Sequence, residues 1–288
     1  MKRILYFDAF AGVSGDMFVG ALVDLGARLE QLQKQVASLG LGGVELRARK
    51  VTRRGIAGTK FDVVDPGSGL NVDDAGGHHH GTHDHTEHHH HGPADQVLPS
   101  PHRGVHEHRG LREIRSIVRR GALPAPVVED ALAVFELLAS AEARVHGVEP
   151  DQIHFHEIGA LDAIADIVAA TSALHQIGPE EVWCSPVHVG SGTVRCAHGV
   201  LPVPAPATVE LLRGIPVYSD GTRGELATPT GVALLKHFCK GFCPIPPMVV
   251  EAAGYGAGSR DLDIPNLLRV VQGRVGEKVW PLQATASG

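Results

Sequence analysis

Apolar and polar positions follow two rhythms along this chain, one of period two and one near 3.6. "KRILYFDAF" (residues 2–10) is a short apolar run with an aromatic pair, which predicts a buried strand. The turn "AGVSGD" leads into "MFVGALVDLG", whose helical periodicity stops at Gly26, and a second helix is expected from about Leu29 to Leu39. "VELRARKVTRRGIAGTKFDVVD" reads as two strands joined near Gly55. Together these predict a small α/β lobe over residues 1–66.

The pattern resumes after a long gap. "LREIRSIVRRG" is an amphipathic helix ending at Gly121, and "PAPVVEDALAVFELLASAEARVHG" a long helix with proline near its start and Gly147 at its end. "QIHFHEIG" reads as a short extended run leading into the helix "ALDAIADIVAATSALHQIG". "EVWCSPVHVGSGTVRC" is strand-like, and "LPVPAPATVELLRG" carries a helix in its second half. "TPTGVALLKHF" predicts a further helix, and "MVVEAAGYGAGS" and "LLRVVQG" two strands. The fold class is therefore mixed α/β (α+β): the small N-terminal lobe, a main domain over 109–274 and a tail over 275–288.

Between the two parts, over residues 67–108, Gly, Asp, His and Pro dominate and apolar side chains nearly vanish. Such a segment buries too little apolar surface to offset its ordering entropy, so it is expected to be a disordered insertion. Nine histidines fall within Gly76–Pro93: His78, His79, His80, His83, His85, His88, His89, His90 and His91. They alternate unevenly with Asp84, Glu87 and threonines, and His102, His106 and His108 follow. Neutral imidazole ligates zinc, copper, iron and nickel, so a tract of this kind would capture several ions loosely. The plainer alternative is a low-complexity spacer.

Composition narrows the class. The 288 residues are 43% apolar and 20% charged, enough for one large domain or two modest ones. A formal net charge of −6 argues against a general nucleic-acid binder. Two basic clusters (Arg47, Arg49, Lys50, Arg53 and Arg54; then Arg109, Arg112, Arg115, Arg119 and Arg120) could hold a phosphate or carboxylate, or be solvated faces. The N-terminal apolar run is broken by Asp8 and reads as no signal peptide, and no segment reaches the roughly 20 apolar residues of a membrane helix. Cys184, Cys196, Cys239 and Cys243 lack framework spacing, so a reduced, cytoplasmic protein is expected.

The densest chemistry lies in "HFHEIGALDAIAD". His154 and His156 alternate and would face one side of an extended run, with Glu157 at the turn. Asp162 and Asp166 stand four apart and share one face of a largely apolar helix. Two buried carboxylates there would need a divalent metal or arginines to compensate them. Local caps and salt bridges are the alternative. Glu142 and His146, four apart on the preceding helix, could point at the same region.

In "YFDAFAGVSGDM", Gly12 and Gly15 let backbone amides crowd towards an anion at a helix start. Asp8 and Asp16 could hold a metal or a hydroxyl there, or Ser14 and Asp16 could simply cap the helix. "GSGTVRCAHG" adds Ser191, Arg195, Cys196 and His198, a set suited to a phosphate or a sulfur-bearing ligand, or a plain hairpin with a core cysteine. Thr228 or Thr230 in "TPTG" reads as a cap or a phosphate contact. Cys239 and Cys243 form a lone CxxxC pair, a weak zinc signal. No GxSxG elbow and no GxGxxG turn is present.

"FDAFAGVSGDM", "AEARVHG", "HFHEIGALDAIADIV", "GSGTVRCAHGVLPVPAPATVELLRG", "TPTG" and "YGAG" followed by "PNLLRV" occur in family order and cover nearly the whole chain. Together they resemble the nickel-insertion proteins of nickel-pincer nucleotide cofactor synthesis (the LarC family). The resemblance implies an enzyme, a lyase-class nickel insertase, that loads nickel into pyridinium-3,5-bisthiocarboxylic acid mononucleotide. The product is the sulfur–carbon–sulfur pincer cofactor of lactate racemase and related enzymes downstream. It implies use of CTP with manganese or magnesium. Family members usually continue into a C-terminal domain to which CTP binding is attributed. This chain stops at Gly288, so a separate C-terminal part is an expected partner.

By motif position the resemblance places the ordered metal site at His154, His156, Glu157, Asp162 and Asp166, with the tract as feeder. The proton displaced by nickel requires a base, for which His156 and His198 are candidates. The mononucleotide phosphate would sit on Gly12, Ser14, Gly15, Asp16, Thr230 or Arg195. Two other readings compete: a nickel store or chaperone without catalysis, and a nucleotide hydrolase with an incidental histidine spacer. Storage needs no paired buried acids, which favours the insertase.

Overall fold

Four consecutive apolar residues, Ile4 to Phe7, are buried on both faces of the first strand, which marks it as interior to a covered sheet. The computed structural model describes residues 1–64, 109–153, 155, 161–196 and 198–276. The expected insertion with its nine histidines, and His154, His156 and Glu157, lie outside the described residues.

In chain order the elements are β1 (Lys2–Asp8), α1 (Gly15–Leu25), α2 (Leu29–Ala37), β2 (Glu45–Arg53), β3 (Ile56–Val64), α3 (Leu111–Arg120), α4 (Ala125–His146) and a 3-10 turn at Pro150–Gln152. There follow α5 (Leu161–Ile177), β4 (Glu181–Cys184), β5 (Val187–His188), β6 (Gly190–Ser191), β7 (Thr193–Cys196), β8 (Gly199–Pro202) and α6 (Pro206–Leu212). The last are β9 (Val217–Tyr218), β10 (Gly224–Glu225), α7 (Pro229–Phe238), β11 (Gly241–Phe242), β12 (Val249–Ala257) and β13 (Leu267–Val275). The mixed α/β expectation holds. Gly26 and Gly147 close α1 and α4 at the residues foreseen, Gly147 in the left-handed conformation that ends helices. No described helix is long and apolar enough to cross a membrane.

Seven strands form one sheet in the order β11-β4-β1-β13-β12-β3-β2. β1 pairs antiparallel with β13 and parallel with β4, and β12 pairs antiparallel with β13 and parallel with β3. The sheet thus draws strands from both the 1–66 and the 109–274 segments. At its edge, β2 alternates buried Leu46 with exposed charged neighbours, the pattern of a strand with one wet face.

α1 lies on the sheet against β3, β12 and β13, α5 stacks on α1, and α4 packs behind α5. The helix sits unusually close to the strands because glycine lines the contact. A Cβ on Gly256 would stand 1.7 Å from the Met17 carbonyl oxygen, and one on Gly254 2.3 Å from that of Ala21. Gly20 answers from the helix side, where a Cβ would lie 2.5 Å from the Thr59 carbonyl oxygen. The "GYGAG" run is therefore a bed for α1. Phe7 and Phe18 stack at 4.5 Å and lock β1 to the same helix. Asp24, near the end of α1, accepts from the Thr59 hydroxyl and, at 3.0 Å, from the Tyr255 amide. The outcome is a rigidly seated α1 whose first turn is held over the ends of α5 and α7.

Candidate functional site

The chain enters α1 and α7 by two turns that run side by side. The Val13 amide donates to the Leu226 carbonyl at 2.9 Å, and the Thr228 amide donates back to the Val13 carbonyl at 2.9 Å. Gly231 accepts this proximity because a side chain there would meet the Val13 carbonyl at 2.5 Å. Thr228 caps α7, its hydroxyl accepting from the Gly231 amide at 3.3 Å. Ser14 occupies the N-cap position of α1 but makes no side-chain cap; its hydroxyl donates instead to Asp16. Buried His188 braces the first turn from below. Its Nδ1–H donates to the Phe10 carbonyl at 2.9 Å, and its Nε2 lies 3.0 Å from Asp220.

At this junction three segments bring carboxylates together. Asp16 comes from α1, Asp62 from β3, and Asp162 and Asp166 from the first turns of α5. The expectation of two buried acids is met only in part: Asp162 is exposed, its oxygen accepting from the Ala163 amide, whereas Asp166 is partly buried. The Asp166 carboxyl is pushed well above the usual range, first by burial and then by Asp16 and Asp162. Beside this group lies Lys60, which pairs with Asp16 and Asp62. Its ammonium lies 2.6 Å from Asp16 and 3.0 Å from Asp62. Burial pulls its pKa down, but Asp16 and Asp62 more than offset this and raise it, so it stays charged. Lys60 was missed in the sequence. Its only signal is the i, i+2 spacing to Asp62 in a strand, which puts both on one face.

In the Gly12–Gly15 turn the Gly12 amide donates to the Ala9 carbonyl at 3.0 Å and the Val13 amide to the Leu226 carbonyl at 2.9 Å. The nearby Asp16 and Asp166 would repel a phosphate. Asp8 is held by Arg269 across the β1–β13 ladder.

On the far side of the α7 start lies a cavity of about 510 Å³. It is lined by Glu142 and His146 of α4, by Arg195, Cys196 and His198 of the β7–β8 hairpin, and by Pro229, among others. His146 Nε2 stands 3.6 Å from Glu142, and the His146 and His198 ring centres are 5.0 Å apart. Ile153 and Phe155 also line it, so the α4 pair shares this cavity with the described residues of that segment. Among the described residues no three His, Cys, Asp or Glu side chains are grouped so as to hold a metal ion by themselves.

Two sequence signals resolve into structure. Cys239 hydrogen-bonds Cys184, and the Cys243 amide donates to the Cys184 carbonyl at 2.8 Å. Burial pushes the Cys239 thiol well up and the Cys243 thiol up. The basic clusters are largely neutralised within the fold. Arg49 pairs with Asp62, Lys50 with Asp24 and Arg115 with Glu136 and Asp151, while Arg53 donates to the Gly258 carbonyl.

The profile of the nickel insertion protein family matches residues 5–286. The pyridinium-3,5-bisthiocarboxylic acid mononucleotide nickel insertion protein of Desulfitobacterium hafniense is 44% identical over 276 residues, 96% of this chain and 60% of that protein. Proteins of the same name from Geobacillus kaustophilus and a Thermotoga species are each 43% identical, over 94% and 93% of this chain and 60% of their own length. The chain thus spans about three fifths of the length of these curated relatives. No solved structure matches it.

Proposed function

Because the chain belongs to the nickel insertion protein family, we propose that it takes part in loading nickel into pyridinium-3,5-bisthiocarboxylic acid mononucleotide. The observation that supports this most is the cavity beside α7, where two imidazoles, a thiol and a guanidinium share one hollow of about 510 Å³. The substrate named for the relatives is anionic and carries two sulfur donors. Nickel accepts nitrogen and sulfur in planar geometry, so a nitrogen-bearing pocket that also takes a thiocarboxylate suits the exchange.

The reaction exchanges a ring proton for nickel without redox change: nickel(II) forms the bond to carbon, and the C–H electron pair becomes that bond. The proton passes to a base, for which His156 and His198 are the candidates. Arg195 is the preferred phosphate partner, since the Gly12 and Val13 amides are engaged and the Asp16 carboxylate lies beside that turn. His154, His156 and Glu157 would join the nickel path with Asp162 and Asp166. The tract from His78 to His91 would gather the ion and feed it inward. Manganese or magnesium, which the resemblance implies, would neutralise the phosphates of CTP. CTP itself is assigned to a C-terminal part acting with this chain, and the product to a pincer-dependent racemase.

The test is an insertion assay with purified precursor, nickel, CTP and manganese, read by the absorbance of the product. It is run on this chain with and without the C-terminal part of a relative. Turnover whose KM for the mononucleotide rises in Arg195→Gln and that survives glutamine at the nine tract histidines supports the reading. Nickel binding confined to the tract, with no turnover in either format, would leave a metal store.

A further inference from the structure

Three clusters lie outside the assigned roles. At the β4–β11 edge the Cys239 thiol bonds Cys184, and the Cys243 amide donates to the Cys184 carbonyl. His175 and His237 each place Nε2 on one oxygen of Asp130, at 2.7 and 2.8 Å, so one carboxylate joins α5 and α7 to α4. The third centres on His188, where one ring nitrogen faces two partners of opposite kind.

His188 ends β5, and its side chain is only 1% exposed. Its Nδ1 lies 2.9 Å from the Phe10 carbonyl oxygen, which can only accept, so Nδ1 carries hydrogen whatever the charge of the ring. Nε2 is therefore the atom that gains or loses a proton. It lies 3.0 Å from the Asp220 carboxylate and 3.4 Å from the Asp220 amide nitrogen. A charged ring donates to the carboxylate, and a neutral ring accepts from the amide. Both partners stand in place together, so the exchange needs no rearrangement of the chain. We infer that His188 is a two-position proton latch between the turn after β1 and the turn at 218–222, tight when Nε2 is protonated and slack when it is not.

The latch closes a circuit of hydrogen bonds. Val189, the next residue, accepts from the Leu226 amide at 3.2 Å, and the Leu226 carbonyl accepts from the Val13 amide at 2.9 Å. Phe10 and Val13 belong to the turn that opens α1, while Asp220 and Leu226 belong to the connection that opens α7. The His188 contacts thus help to hold the two helix starts together. Glu225, beside Leu226, lines the cavity, so the latch bears on one wall of the proposed site.

The direction follows from the partners. Imidazole changes charge between about pH 5 and 8. A charge-assisted bond is roughly twice as strong as a neutral one, and 3.4 Å is long for an amide donor. The latch is therefore tight on the acid side and slackens as pH rises. Tyr218 of β9 stacks on the ring at 4.7 Å, and burial holds its phenol above the ordinary range, so it stays neutral. The Asp220 carboxyl is held below the ordinary range, first by its bonds from Thr222 and further by His188, so it stays ionised. From β1, Asp8 pairs with Arg269.

The test follows the full chain, labelled with nitrogen-15, by long-range proton–nitrogen spectra of the imidazoles from about pH 5 to 8.5. His188→Asn assigns the signals. At the alkaline end His188 is expected as the Nδ1–H tautomer, and Nε2 takes up a proton as pH falls. The Asp220 amide signal should move with the same midpoint. Asp220→Asn should lower that midpoint by about one pH unit. It should also speed exchange of the Val13 and Leu226 amides by about tenfold on the acid side. A neutral ring protonated on Nε2, a ring whose charge never changes, or a midpoint and exchange unmoved in Asp220→Asn overturns the latch. Should Asp220→Asn fail to fold, the tautomer and the shared midpoint in the wild type still decide. These readouts use neither nickel nor substrate, so they hold or fail independently of the nickel-loading reading.

Discussion

The Lys60 ammonium of β3 lies 2.6 Å from the Asp16 carboxylate at the start of α1, and Lys60 is only 6% exposed. That contact holds the sheet to the helix that carries the candidate site. Lys60→Met would leave Asp16 without its ammonium partner and Asp62 with Arg49 alone. The expected loss is about 2–4 kcal/mol, measured by urea unfolding at neutral pH, since removing one partner of a buried pair strands the other charge. Lys60→Met combined with Asp16→Asn should recover part of it. Equal midpoints for the wild type and Lys60→Met would show that the ion pair contributes nothing net.

Asp166 sets a pH dependence of definite sign. Its folded pKa is raised, by burial first, above the ordinary value of 3.8. The folded state therefore binds more protons than the unfolded state between 3.8 and the raised value. Stability from this residue is present below 3.8 and is lost as pH rises through that window. Asp166→Asn should flatten the decline and raise the melting temperature at neutral pH. Melting curves collected across pH would contradict this if the variant kept the wild-type slope.

Gly256 tests the close seating of α1. An alanine methyl there would stand 1.7 Å from the Met17 carbonyl oxygen, which forces helix and strand apart. Gly256→Ala is expected to cost on the order of 3 kcal/mol or more, or to abolish folding. Gly43→Ala, at a positive φ but in open space, should cost only about 1 kcal/mol. Thermal melts of the two variants side by side settle the comparison.

The cysteines should differ in reactivity. Only thiolate alkylates rapidly, and burial holds the Cys239 and Cys243 thiols above their ordinary range. Cys196, partly exposed in the cavity wall, should react with iodoacetamide about tenfold faster at neutral pH. Peptide mass spectrometry over a time course reads this directly. Faster labelling of Cys239 would mean that the β4–β11 edge opens.

Arg195→Gln should raise KM for the mononucleotide by about tenfold and leave kcat nearly unchanged, the signature of lost uniform binding. Steady-state insertion kinetics check it. A fall in kcat at unchanged KM would instead place Arg195 at the reacting centre.

The sequence by itself determined the elements, because local rules governed them. Apolar periodicity marked β1, α1, α4 and α5, and Gly26 and Gly147 closed helices where glycine is the residue that tolerates the backbone. What the sequence did not disclose was the partner across each contact. Lys60 compensates Asp16, a pairing the sequence did not show, because nothing local ties a strand lysine to a helix 44 residues away. The same holds for Ser14, whose hydroxyl prefers Asp16 to the cap, and for the amides of Gly12 and Val13, which the Ala9 and Leu226 carbonyls consume. His146 and His198 lie 52 residues apart in the numbering (198 minus 146), and only the packing of the β7–β8 hairpin beside α4 brings their rings to 5.0 Å. Propensity and capping act over a few residues and can be read along the chain. Charge compensation and ligand geometry act through space, so the tertiary structure alone decided them.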